Sequence, residues 1–195
     1  MSKLSALTEP FGTGGNSFSA FDVDKVRADF PILSREVYGK PLVFCDSGAS
    51  AQKPRVVIDC IREAYESYYS NVHRGAHYLS QRATDAYEEA RVIIAKFMNA
   101  PSDKNIVITS SVTESINLVA ATWGRKFLKE GDEVIVSEME HHANIVPWQI
   151  LREEKGIIIK VAPVRDDGSF HLEDFEACLS SRTKLVAITE VSNVL

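Results

Sequence analysis

Residues 132–148 read Asp-Glu-Val-Ile-Val-Ser-Glu-Met-Glu-His-His-Ala-Asn-Ile-Val-Pro-Trp. A short β-branched strand in this stretch runs directly into an acid and two histidines before a helix begins. In a parallel α/β sheet, ligands bind just outside the carboxyl ends of the strands. Glu140, His141 and His142 therefore occupy the position where such a fold places its chemistry.

The composition is that of a globular protein. The chain has 195 residues, of which 45% are hydrophobic and 25% charged, so it can bury a sizeable core. Its net charge of -5 argues against a large basic surface, and we expect neither nucleic acid nor an anionic membrane as a partner. Because no run approaches the length of a membrane span and the N-terminus lacks a signal-peptide core, a cytoplasmic protein is expected.

The chain divides into three regions. Residues 1–20 are rich in Ser, Gly and Thr and predict a flexible leader. Residues 21–100 predict an N-terminal helical segment, with a brief strand at 43–46 and helices at 21–30, 54–69 and 82–98. In residues 101–195 predicted strands (106–109, 134–137, 157–161 and 185–189) alternate with helices (113–128, 144–154 and 172–179). Such alternation indicates an α/β fold, with a mostly parallel sheet and helices on both of its faces.

The three cysteines do not predict a disulfide framework. Cys45, Cys60 and Cys178 are odd in number and show no Cys-x-x-Cys spacing. They fall in predicted strands or helices, and we interpret them as core residues.

A strand joins a helix around Ser111, which with Glu114 matches a capping box. Free backbone N–H groups at this helix start, together with the Thr113 hydroxyl, would hold a phosphate well. A capped helix with no ligand explains the same pattern, and the alternative stays open.

His141 follows a predicted strand, where an imidazole could stack on a flat heterocycle or carry protons. A histidine that only packs or caps is an equal alternative. His142 is adjacent, so the two rings point to different sides and are not expected to form a metal pair.

Three other polar residues lie where binding groups are often found. His73 and Arg74 are in a loop between two helices, and Arg74 could clamp a carboxylate or a phosphate. Asn193 follows the last strand and could donate to a phenolic or carbonyl oxygen. Solvated loop and turn residues are the alternatives.

Five blocks of sequence occur in an informative order. They are residues 46–54 (Asp-Ser-Gly-Ala-Ser-Ala-Gln-Lys-Pro), 72–75 (Val-His-Arg-Gly), 113–120 (Thr-Glu-Ser-Ile-Asn-Leu-Val-Ala), 139–148 (Met-Glu-His-His-Ala-Asn-Ile-Val-Pro-Trp) and 191–195 (Val-Ser-Asn-Val-Leu). Together they resemble the group II, SufS-type cysteine desulfurases. These are class V aminotransferases that bind pyridoxal 5'-phosphate (PLP) on the fold-type I scaffold. The resemblance implies that residues 101–195 are the first part of a PLP-binding large domain.

The resemblance implies a role for several residues. Thr113 and the backbone N–H groups beside it, including that of Val112, would hold the cofactor phosphate. His141 would stack on the pyridine ring and take part in proton transfer, and Asn193 would contact the ring's phenolic oxygen. The cofactor would serve as the electron sink.

The resemblance also implies a substrate and partners. The turn of Ser47, Gly48 and Ala49 would lie near the substrate amino acid, and His73 and Arg74 would face the active site of the other subunit of a homodimer. The implied reaction converts L-cysteine to L-alanine and leaves an enzyme-bound persulfide. That sulfur would pass to an acceptor protein of the SufE or SufU type for iron-sulfur cluster assembly.

The chain departs from the family pattern in two respects. It has Ser111-Val112-Thr113 where relatives usually read Gly-Thr-Thr, and Asp46-Ser47-Gly48-Ala49 where they read Asp-Ser-Ala-Ala. It also has no counterpart of the family's Schiff-base lysine or nucleophilic cysteine, so the resemblance implies an N-terminal fragment that is inactive alone. A selenocysteine lyase or other class V enzyme, and a non-catalytic module for binding or dimerisation, are the alternatives.

Overall fold

Short helices and a small hairpin form the first of two units. The computed structural model describes residues 21–192; the first unit ends at Thr84 and the second begins at Asp85, within a long helix. The predicted leader, residues 1–20, lies outside the described residues. The first unit contains α1 (Val23–Ala28), a 3₁₀ turn (Pro31–Ser34), β1 (Glu36–Val37), β2 (Lys40–Pro41), α2 (Arg55–Glu63), a π-helical turn (Ala64–Tyr68) and the start of α3 (Tyr78–Phe97).

The second unit alternates helices and strands. Its elements after α3 are a 3₁₀ turn (Asp103–Asn105), α4 (Val112–Val119), a π-helical turn (Ala120–Gly124), α5 (Arg125–Phe127), β3 (Glu133–Ser137), a 3₁₀ turn (His142–Asn144), α6 (Val146–Lys155), β4 (Ile158–Ala162), α7 (Leu172–Glu176) and β5 (Thr183–Ala187). The division between the units falls inside α3, whereas the sequence placed a boundary after residue 100.

The sheet of the second unit is parallel and has the order β4-β3-β5. Every residue of β3 is buried, as expected for a central strand. Val134 lies level with Ile159 of β4 and Leu185 of β5. The predicted α/β fold with a parallel sheet is confirmed.

The hydrophobic core lies on one face of this sheet. Val134 and Val136 of β3 pack there with Leu128, Trp148 and Leu151. On the other face, the ammonium group of Lys160 donates to the carbonyl of Cys178, just after α7. No helix within residues 21–192 has both the length and the apolar character needed to cross a membrane.

Two predicted strands are wrong. The apolar runs at 43–46 and 106–109 form no ladder with any strand in the described part of the chain. Val43 is 82% exposed and Val107 68% exposed. Apolar composition favours a strand, but a ladder also needs a partner strand alongside.

The interpretation of the cysteines as core residues is wrong for two of the three. Cys45 and Cys60 are exposed, because the first lies in the run at 43–46 that forms no strand and the second lies on an outer side of α2. Cys178 is half-buried, and its thiol donates to the carbonyl of Asp174 at 3.4 Å.

Candidate functional site

A cleft of about 330 Å³ opens at the carboxyl ends of β3 and β5. It is lined by Val112, Thr113, Ile116, Glu140, His141, Ala143, Asn144, Ile188 and Thr189. Parallel sheets bind ligands at this edge. The structure thus brings Thr113, from the start of α4, and His141, from the loop after β3, to one cleft.

The start of α4 forms only half of the predicted capping box. Ser111 caps the helix, since its hydroxyl oxygen accepts from the N–H of Glu114 at 3.1 Å. The Glu114 carboxylate does not return to the N–H of Ser111; it accepts from the hydroxyl of Ser110 at 2.6 Å and from its N–H at 2.7 Å. The Ser110 hydroxyl and then its N–H lower the pKa of Glu114.

Two backbone donors at the start of α4 remain available. Within the described residues, no acceptor takes the N–H of Val112 or of Thr113. Thr113 itself is exposed. The first N–H groups of a helix point out of its end and carry its positive partial charge, so this end of α4 suits an anion.

His141 caps the 3₁₀ turn that follows β3. Its Nδ1 accepts from the N–H of Ala143 at 3.1 Å, so in the neutral ring the proton lies on Nε2. The ring therefore caps a turn, which is one of the two alternatives that the sequence left open, and it also lines the cleft. The ring of His142 lies 6.3 Å away, centroid to centroid, at 89°.

Glu140 ties this loop to the next strand. Its carboxylate accepts from the N–H of Thr189, past the end of β5, at 2.7 Å. It also accepts from the side-chain amide of Asn144 at 2.8 Å. The sequence singled out Glu140 by its position but missed Asn144 and Thr189. One signal for Asn144 was available in the sequence: it is an amide that follows an acid by four residues, just after a buried strand.

Ser47, Gly48 and Ala49 form an exposed turn of the first unit. The carbonyl of Asp46 accepts from the N–H of Ala49 at 3.2 Å and from that of Ser50 at 3.0 Å, which closes the turn. Ser47 also lines an apolar pocket of that unit.

His73 and Arg74 lie exposed in the loop between α2 and α3. His73 has φ +63°, and its N–H donates to the hydroxyl of Thr84 at 2.9 Å. His73 is thus held by a contact within its own unit. Asn193 lies outside the described residues.

The parallel sheet of the second unit and the cleft at its strand ends fit a known family of proteins. The chain belongs to the class V aminotransferases, whose family model matches residues 43–195.

The similar proteins are named as desulfurases. The chain is 52% identical to a probable cysteine desulfurase of Mycolicibacterium paratuberculosis, over 96% of this chain and 27% of the relative. It is 52% identical to a cysteine desulfurase of Dickeya dadantii, over 90% of this chain and 42% of the relative. A solved cysteine desulfurase of Thermococcus onnurineus NA1 superposes with a TM-score of 0.78 and 37% identity, over 90% of this chain and 42% of that one. The chain thus spans less than half the length of each.

Proposed function

We propose that this chain is the cofactor-holding part of a cysteine desulfurase, with PLP as cofactor and L-cysteine as substrate. The products are L-alanine and a protein-bound persulfide. The observation that carries the proposal is that Val112 and Thr113, whose N–H groups have no acceptor within the described residues, line the same cleft as His141. The names of the relatives support the choice of reaction.

The donors of the cleft fit the cofactor. The N–H groups of Val112 and Thr113 and the Thr113 hydroxyl would hold the phosphate, and His141 would lie against the ring. Among residues 21–192 no lysine or arginine lines this cleft, so in this part of the chain the backbone dipoles would meet the phosphate charge. When bound, PLP supplies an electron sink for the bonds of the substrate amino acid.

The protein's own part is binding and orientation. The capped first turn of α4 holds its donors at fixed positions, so they need no reorganisation when an anion arrives. The bond from Ala143 to Nδ1 fixes the ring of His141, which then presents its Nε2–H as a donor.

Finer features of the proposal follow the five sequence blocks. We assign the chain to the SufS type, which serves iron-sulfur cluster assembly in the cytoplasm, and expect a homodimer that passes sulfur to an acceptor of the SufE or SufU type. Asn193 would contact the ring's phenolic oxygen. The turn of Ser47, Gly48 and Ala49 would contact substrate, and His73 and Arg74 would reach the partner's site.

Cofactor binding is tested by titrating the chain with PLP and following absorbance and tryptophan fluorescence. Loss of one hydrogen bond to a charged group is worth about 1.5–3 kcal/mol, so Thr113→Val should weaken PLP binding roughly tenfold or more. His141→Ala should also weaken it. The matched control is Thr122→Val; the Thr122 hydroxyl, in the π-helical turn after α4, donates to the carbonyl of Leu118. Equal affinities for Thr113→Val and the control would contradict the proposal.

The substrate is tested by adding L-cysteine, L-selenocysteine or D-cysteine to the chain with bound PLP. A spectral change with L-cysteine and not with D-cysteine supports a desulfurase, and a stronger response to L-selenocysteine favours a selenocysteine lyase. Self-association without PLP binding would favour a non-catalytic module.

A further inference from the structure

We propose that Glu140 is a positioning residue which, together with Asn144, fixes the His141 turn against the end of β5. The importance of this arrangement for the cofactor rests on the function proposed above. The arrangement itself does not, and it can be measured without cofactor.

The Glu140 carboxylate joins the ends of two neighbouring strands. Its Oε1 accepts from the hydroxyl of Ser137, the last residue of β3, at 2.5 Å and from the N–H of Thr189 at 2.7 Å. Its Oε2 accepts from Nδ2 of Asn144 at 2.8 Å. One side chain thus sets the spacing between the loop after β3 and the chain after β5.

Asn144 connects this carboxylate to the core. Its Nδ2 also donates to the carbonyl of Ala187 in β5 at 2.9 Å, and its Oδ1 accepts from the indole N–H of Trp148 at 3.1 Å. Trp148 is buried in the core. Because His141 lies between Glu140 and Asn144, its turn is anchored on both sides.

The polarity of the network demands an acid at 140 and an amide at 144. A carboxylate has only acceptors, and all three groups that face it are donors. In Glu140→Gln the new NH₂ group must face either the NH₂ of Asn144 or the N–H of Thr189. In Asn144→Asp two carboxylates face each other and the donor to Ala187 is lost.

Exchanging the acid and the amide between positions 140 and 144 restores most of the hydrogen bonds. In the Glu140→Gln, Asn144→Asp double variant, the Gln oxygen can accept from Ser137 and Thr189 while its NH₂ donates to the Asp carboxylate. That carboxylate still accepts from Trp148. The bond to the carbonyl of Ala187 is lost, and an Asp oxygen faces that carbonyl as it does in Asn144→Asp. The remaining hydrogen bonds are matched, so the double variant should behave more like the original chain than either single variant does.

The first measurement uses the chain without cofactor. NMR would follow hydrogen exchange at the Thr189 amide and the order of the His141 ring. Losing a net hydrogen bond of about 1.4 kcal/mol predicts roughly tenfold faster Thr189 exchange in Glu140→Gln and a ring that samples several orientations. The double variant should recover a single ring orientation and slower exchange. Glu154→Gln, which loses a surface pair with Arg125, is the control and should change neither.

The second measurement is the PLP dissociation constant. Each single variant should raise it roughly tenfold, and the double variant should bring most of that affinity back. If Glu140→Gln does not fold, Asn144→Asp and the double variant provide the same comparison.

The possible outcomes separate the two proposals. If the His141 ring is as ordered in the single variants as in the original chain, the positioning proposal is wrong, whatever the PLP dissociation constants are. Failure of the double variant to recover ring order also overturns it, because general damage at the site then explains the losses. If the original chain does not bind PLP, the proposed function is wrong. The measurement of ring order still decides the role of Glu140.

Discussion

At the scale of single residues, Glu133 shows how partners distant in sequence set the chemistry of a side chain. Its carboxylate is fully buried at the first position of β3. It accepts from the hydroxyl of Ser180 at 2.6 Å and pairs with Lys160 at 2.9 Å and with Arg182 at 3.0 Å. The Ser180 hydroxyl, then Lys160, lower the pKa of Glu133 from 4.5 to about 2.

This lowered pKa predicts that the free energy of unfolding falls at acid pH, a fall that we call the acid limb. Because the pKa is about 2 in the folded state and 4.5 in its ordinary state, the carboxylate stabilises the fold fully above pH 4.5. That stabilisation is lost as the pH falls from 4.5 towards 2. Glu133→Gln should lower the free energy of unfolding at neutral pH and flatten this limb.

Urea unfolding at several pH values measures the effect. Glu153→Gln, on the exposed side of α6, is the control and should keep the limb. An unchanged pH dependence in Glu133→Gln would show that the acid limb has another source.

At the scale of elements, the loop between α2 and α3 is held by the first turns of α3. The side chain of Ser80 is 1% exposed; its hydroxyl donates to the carbonyl of Asn71 at 2.6 Å and accepts from the N–H of Gly75 at 2.9 Å. A Cβ on residue 75 would lie 2.5 Å from that of Ser80, so only glycine fits there. The loop that carries His73 and Arg74 thus has a defined shape.

Ser80→Ala should loosen this loop. The change leaves a partly buried N–H and a carbonyl without their partner, which costs about 1–3 kcal/mol of unfolding free energy. Trypsin should then cleave faster after Arg74. Ser34→Ala, which removes an exposed hydroxyl that donates to the carbonyl of Pro31, is the control for both measurements. Cleavage no faster than in that control would mean that Ser80 does not hold the loop.

At the scale of the whole described chain, the buried apolar cluster lies where α4, α5 and α6 cover one face of the sheet. Leu151 of α6 is buried there against Trp148 and Leu128, whereas its neighbour Ile150 is 44% exposed. The two residues share a helix and differ mainly in burial, so they form a matched pair.

Leu151→Ala should lower the free energy of unfolding by about 2–5 kcal/mol, because it removes buried apolar atoms and leaves a cavity. Ile150→Ala should cost less, since nearly half of the surface of Ile150 remains in water in the folded state. Denaturant unfolding of both variants provides the comparison. Similar losses of unfolding free energy in the two variants would contradict the placement of the core around Leu151.

The helices and the cleft were largely predictable from sequence. The predicted helix at 113–128 corresponds to α4, its π-helical turn and α5, because apolar periodicity and the Ser111 cap act within a few residues. Thr113 and His141 were predicted at a helix start and a strand end, and topology brings such ends together. The strand at 106–109 failed because its pattern says nothing about a partner strand.

The amino-acid sequence by itself determined the alternation of helices and strands and the side chains offered at their ends, since both depend on neighbours along the chain. Only the tertiary structure decided which strands pair, that Glu133 is buried between two cations, and that Glu140 reaches Thr189 across 49 residues. These contacts join segments far apart in sequence. They form only when the strands align, so no local pattern encodes them.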